Sequence, residues 1–253
     1  MSDTAVMTQE PEELVAAGVD GCRSGWIAAL ALRQVDGRLT TSLRRFGTID
    51  ELAAWRGALN HEIFATIDVP IGLPETTGFR SCDQEARRRL GERRSSVFMP
   101  PGRYLLAASD HTEARRLVEE RRREDPGAKG IGAQAWGIVP KIREVDEFLQ
   151  SKPEHQRWLL EVHPEVCFLA WSGRILHSKH SAVGQVQRFC IVRHEFPDTE
   201  HAILEDLNAT DKVDLTDVLD AYAALWTALR RTKEEHKVLA EEPLHSIVAK
   251  MTV

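Results

Sequence analysis

Acidic residues at the ends of apolar runs are the first chemistry this chain offers. Asp20 closes the run Leu14 to Asp20 (LVAAGVD), Asp68 stands near the end of Glu62 to Val69 (EIFATIDV), and Glu161 and His163 stand at the end of Trp158 to Val162 (WLLEV). In open α/β sheets ligands gather beyond the carboxyl ends of strands, so acids stationed there can converge from distant parts of a sequence. Asp217 and Asp220, three apart in the helical-looking Val213 to Arg231, share one helix face. A buried set of like charges raises its own pKa values and costs free energy unless a cation neutralises it. All-oxygen ligation suits Mg2+ or Mn2+, and two such ions about 3.5 to 4 Å apart favour in-line attack on a phosphodiester. The acids that could gather round such ions are Asp20, Asp68, Glu161, Asp217 and Asp220, with His163 beside Glu161 at the same strand end.

Several of these residues also have a plainer reading. Asp20 precedes a glycine-flanked turn, where Asp is common. One of Asp217 and Asp220 can serve only to cap a helix starting near Asp214, and Asp220 lies deeper in that helix. A lone histidine such as His163 is more often a hydrogen-bonded structural residue than a base.

Basic residues cluster in the middle of the chain, with twelve arginines against seven acids between Arg80 and Arg123. Most interleave with glutamates at helical spacing, the pattern of a solvated, salt-bridged face. Arg80, Arg94 and Arg103, with Ser95 and Ser96, flank proline and glycine turns and are the better candidates for holding substrate phosphate. Lys141 and Lys179 join them as groups that grip phosphates or cap helices.

The elements that must position these groups follow from periodicity. Two apolar runs around the turn Gly21 to Gly25 make a hairpin, Thr40 to Phe46 adds a strand, Ile49 to Leu59 has a helical period, and Glu62 to Val69 is a buried strand. The order is β-β-β-α-β. Regular alternation then stops, and residues about 74–157 form a mainly helical insertion before Trp158 to Val162 resumes the sheet. The rest is expected to be helical, including Gly184 to Val192 and Val213 to Arg231. Residues 1–13 are read as a disordered tail, and 14–253 as one α/β domain.

Composition narrows the classes. The 253 residues, 42% hydrophobic and 28% charged, exclude a disordered chain and a disulfide mini-protein. A formal charge of −6 excludes a generic polyanion binder, so contact with nucleic acid must be local. Four scattered cysteines, the lack of a membrane-length apolar run and an acidic amino terminus point to a reducing, cytoplasmic setting with no membrane partner. A homodimer is compatible with this composition.

The runs GVDGCRSGW, IDVPIGLP, RSCDQEAR, RRSSVFMPPGR, EVHPEVCF and DVLDAYAALWTA, in that order from Gly18 to Ala228, resemble the family catalogued as domain of unknown function 429. Its members are regarded as predicted RNase H-like nucleases. The resemblance implies an RNase H-like mixed sheet flanked by helices, Mg2+ or Mn2+ as cofactor, and DNA or RNA as substrate. It matches Asp20 to the first-strand acid, Asp68 to the fourth-strand acid, and Asp217 and Asp220 to the paired helix acids of bacterial junction resolvases, which implies these four as metal ligands, with Glu161 or His163 assisting proton transfer. Glu161 and His163 belong to the family's own motif. The alternatives are a non-catalytic nucleotide- or partner-binding module on the same fold, and a phosphotransferase or hydrolase acting on a small phosphorylated substrate.

Overall fold

The computed structural model describes residues 13–59, 62–209, 213–244 and 247–253. The expected amino-terminal tail lies outside them up to residue 12. Strands β1 (Glu13–Cys22), β2 (Gly25–Arg33) and β3 (Leu39–Phe46) form an antiparallel meander, then α1 (Ile49–Gly57) leads into β4 (Phe64–Ile67). Between β4 and β5 (Leu159–Glu161) come α2 (Ser81–Leu90), α3 (His111–Arg121), α4 (Ala133–Trp136) and α5 (Val139–Ser151), joined by 3-10 turns. After β5 come α6 (Pro164–Ser172), α7 (Ala182–Glu195), α8 (Thr199–Ala209) and α9 (Leu215–Thr232), then β6 (Val238–Leu244) and β7 (Ile247–Thr252). The order β3-β2-β1-β4-β5-β7-β6 makes one mixed sheet of seven strands, with β1, β4, β5 and β7 successively parallel. The fold is α/β. The terminal hairpin corrects the expectation that the chain is helical after β5: β6 (VLAEEPL) is half exposed and charged, so it lacks the apolar run that marks a buried strand.

Period-two alternation sorts each strand between two cores. Ala17 and Val19 of β1, with Ala65 and Ile67 of β4 and Leu159 of β5, pack on the face covered by Ile142, Val145 and Leu149 of α5. Ala16 and Cys22 of β1, with Ile27 and Ala29 of β2, face Leu219, Tyr222, Ala223 and Leu225 of α9. Asp20 and Asp68 fall on this second face, because each follows a residue of the first, Val19 and Ile67, which are themselves paired in register.

Helix α9 lies across β1, β2 and β4. Its contact with β1 depends on Gly18, since a Cβ there would come within 1.9 Å of the Leu225 nitrogen and 2.3 Å of the Ala221 oxygen. Only glycine allows that approach. The buried Thr66 hydroxyl of β4 donates to the Ala224 carbonyl at 2.7 Å and fixes the helix along its axis. Both contacts bring the amino-terminal half of α9, with Asp220, over the ends of β1 and β4.

The region between β4 and β5 is tied back to the sheet by α5. Glu144 accepts from the Trp26 indole at 3.1 Å and from the Ile49 amide at 2.5 Å. Arg103 donates to Asp146 at 2.9 Å. The outer part keeps a small core of its own, Leu105, Ala108, Ala114 and Val118.

Candidate active site

Asp20, Asp68 and Asp220 converge at the carboxyl ends of the central strands β1 and β4. The Asp68 amide donates to the Val19 carbonyl at 3.0 Å, which sets the two strand acids side by side. Asp220, 1% exposed, enters from α9. Burial, then the charges of Asp68 and Asp220, hold the Asp20 carboxyl well above its ordinary range, against the pull of Lys179. Burial pushes Asp68 up to about 6; His163 and Lys179 draw it down, while Asp220 and Glu165 push it up. The acids are therefore mutually destabilising, and the group that answers them is Lys179, whose Nζ donates to Asp220 Oδ2 at 2.5 Å.

Asp217 takes a different place. Its Oδ2 accepts from the Asp214 amide at 3.2 Å at the start of α9, so it caps the helix from the third position. It remains within electrostatic reach of Asp220 and Lys179, and burial raises its carboxyl to about 6. Of the two helix acids, Asp220 is the one inside the cluster.

His163 precedes α6 and borders the cluster through Asp68. Its Nε2 lies 3.3 Å from the Ser96 carbonyl, an acceptor only, so this nitrogen carries the hydrogen. Nδ1 is buried and, among the described residues, has no hydrogen-bond partner. The same contact brings the 3-10 turn Gly91–Ser96 to the site, braced by Arg87, which donates to the carbonyls of Arg94 and Val97, each at 2.8 Å. Arg94 and Ser95 are exposed there, while the Ser96 hydroxyl donates to the Arg93 carbonyl.

Glu161 and Arg80 are corrections to the expected site. Glu161 pairs in register with Ile67, not Asp68, and so points to the opposite face of the sheet. There Arg80, 2% exposed, spans Glu161 and Asp83. Its Nη2 reaches Glu161 Oε1 at 2.5 Å and Asp83 Oδ1 at 2.6 Å, and its Nη1 reaches Glu161 Oε2 and the Ile71 carbonyl, each at 2.8 Å. Cys82, Asp83 and Glu161 bring possible ligand atoms within 4.8 Å of one another. The guanidinium already supplies the charge and the donors a cation would bring, so this is an internal salt bridge. Arg103 is engaged by Asp146 and ties the 3-10 turn Arg103–Ala107 to α5. Lys141 donates to the Gly25 carbonyl at 2.5 Å, lies over the Trp26 ring at 4.4 Å, and remains within electrostatic reach of Asp20.

Two partners, Asp83 and Glu165, carry no signal in the sequence, and a third, Lys179, takes a role other than the one expected of it. Asp83 completes the Arg80 bridge, and Glu165 pairs with the buried Arg188 at 2.6 Å. Both lie inside motifs, RSCDQEAR and EVHPEVCF, whose charged residues read equally well as surface. Lys179 was expected as a phosphate contact, not as the cation of the acid cluster.

The fold and site define an α/β protein with a carboxylate cluster at the ends of adjacent parallel strands. The chain belongs to the family described as Protein of unknown function (DUF429), whose model matches residues 18–245. No curated protein and no solved structure matches it. Among the described residues, no helix is long and apolar enough to cross a membrane.

Proposed function

We propose that the protein is a divalent-metal-dependent phosphodiesterase of RNase H-like fold acting on nucleic acid. The observation that carries this reading is the meeting of Asp20, Asp68 and Asp220 on one face, from two adjacent parallel strands and the helix crossing them. The strand order β3-β2-β1-β4-β5, with an antiparallel meander followed by parallel strands, supports the fold part of it.

The donor set fits Mg2+ or Mn2+. It consists of carboxylate oxygens, buried together, whose charge Lys179 offsets only in part. Asp20, Asp68 and Asp220 would hold the ion, with Asp217 beside them. When bound, such an ion polarises the phosphoryl oxygen and lowers the pKa of water. The chain's own residues supply the rest. The sheet face and α9 keep the carboxylates fixed and shielded from solvent, His163 Nδ1 takes or returns a proton, and Arg94 with Ser95 at the rim meets the phosphate backbone.

The test is a cleavage panel of single-stranded, duplex, hybrid and branched DNA and RNA with Mg2+ or Mn2+, run on the wild type and Asp20→Asn. Cleavage by wild type and a loss of at least about a hundredfold in the variant is the expected result. Equal cleavage by both removes Asp20 from the site.

The Lys179–Asp220 pair favours a second reading, a binding module whose acid cluster is already partly neutralised from within. Salt-sensitive binding of nucleic acid without turnover by the wild type would select it.

A further inference from the structure

Lys179 sits where a cation is needed. Its ammonium reaches Asp220 Oδ2 at 2.5 Å and lies within electrostatic range of Asp20, Asp68 and Asp217. Its side chain is still 32% exposed, so it has a route out to solvent.

The loop that presents it is held from beneath. Arg188, buried on α7, donates through Nη1 to the His177 carbonyl at 2.9 Å and through Nη2 to Glu165. Ser181 caps α7 by accepting from the Gly184 amide at 3.1 Å, and its hydroxyl donates to the Ser178 carbonyl at 2.7 Å. A Cβ on Gly184 would lie 2.0 Å from that same Ser178 oxygen. The backbone on both sides of Lys179 is therefore fixed, and the side chain is held at its tip by Asp220.

An ion entering the cluster has to take Asp220 from the ammonium.

We propose that Lys179 is the resident counter-cation of the acid cluster, competing with the divalent ion for Asp220 and withdrawing toward solvent when the ion binds. This rests on the metal-dependent reading above. The ammonium keeps the unloaded cluster from repelling itself, sets how much divalent ion is needed to load it, and, once displaced, stands at the mouth of the site as a positive group for a substrate phosphate.

The experiment measures Mn2+ binding by calorimetry, without substrate, for the full chain, Lys179→Met, Lys179→Arg and Asp220→Asn. Lys179→Met should bind Mn2+ at least about tenfold more tightly than wild type, equivalent to about 1.4 kcal/mol. Lys179→Arg, which keeps the charge, should stay within about threefold of wild type. Asp220→Asn should lose binding. Equal or weaker binding by Lys179→Met overturns the inference. If Asp220→Asn still loses binding in that case, the metal site stands and only the competition falls. Absence of Mn2+ binding in the wild type and both Lys179 variants overturns the metal reading and the inference together. A second measurement keeps the test open if Lys179→Met does not fold. In the wild type, saturating Mn2+ should raise the rate of acetylation of Lys179 severalfold, read by mass spectrometry, and an unchanged rate overturns the withdrawal.

Discussion

Two acids near strand ends, buried Glu161 and half-buried Asp68, differ in consequence. Glu161 is met by the Arg80 guanidinium from 2.5 Å, so removing its charge leaves a buried cation short of a partner. Glu161→Gln should cost about 3 to 5 kcal/mol, read by urea unfolding. Asp68 has no such bridging partner: the loss of solvation outweighs the pull of His163 and Lys179, with Asp220 and Glu165 opposing its charge, so its neutralisation relieves mainly a desolvation cost. In chelator at pH 8, Asp68→Asn should gain about 1 kcal/mol over wild type. The sign follows from its carboxyl, raised by burial to about 6 against an ordinary 3.8. The folded state then binds more protons between those values, so wild-type stability is fullest below about 4 and falls as pH rises through 6. The gain should fade as pH is lowered toward 4. A loss of several kcal/mol in Asp68→Asn at pH 8 would make Asp68 a structural acid like Glu161.

Elements decide which acids meet, and here the critical contact is α9 on β1. Gly18→Ala puts a methyl group where the Leu225 nitrogen and Ala221 oxygen stand, so the helix must move off the strand. A cost of about 1 to 3 kcal/mol is expected in urea unfolding, together with weakened Mn2+ binding, because Asp220 moves with the helix. An unchanged midpoint and unchanged Mn2+ affinity would show that α9 is not held by this approach. The first half of the sheet was legible in the sequence because LVAAGVD, WIAALAL and EIFATIDV are apolar runs between turn residues. The capping role of Asp217 was open from its spacing to Asp214. The face of Glu161 was not legible: a strand of three residues shows no alternation, and its register against Ile67 is set by pairing across the sheet. Lys179 could not be placed either, since its partner lies 41 residues away and its loop has no periodic pattern. The β6–β7 hairpin was missed because the polar strand β6 offers no buried face to read.

For the molecule as a whole, the difficulty is a net charge of −6 on a protein proposed to hold a polyanion. Acids gathered at the cluster repel phosphate until a cation enters, while the basic surface is broken up by ion pairs such as Arg88 and Arg89 on Glu85, and Arg116 on Glu120. Paired arginines of this kind release few counterions when nucleic acid binds, so the salt dependence of binding should be shallow. Arg94 differs in position, on an exposed turn held to the site through His163 and the Ser96 carbonyl. It is the arginine from which a phosphate contact is expected. With Asp20→Asn used to prevent cleavage and Mg2+ present, the slope of log affinity against log salt should correspond to only a few phosphates. Arg94→Ala in that background should reduce the slope by about 1 and weaken binding alike for every sequence tried. Arg116→Ala, far along α3 and already paired, should change neither. If Arg116→Ala lowers the slope and Arg94→Ala does not, nucleic acid runs over α3 and the 3-10 turn Gly91–Ser96 is not part of the interface.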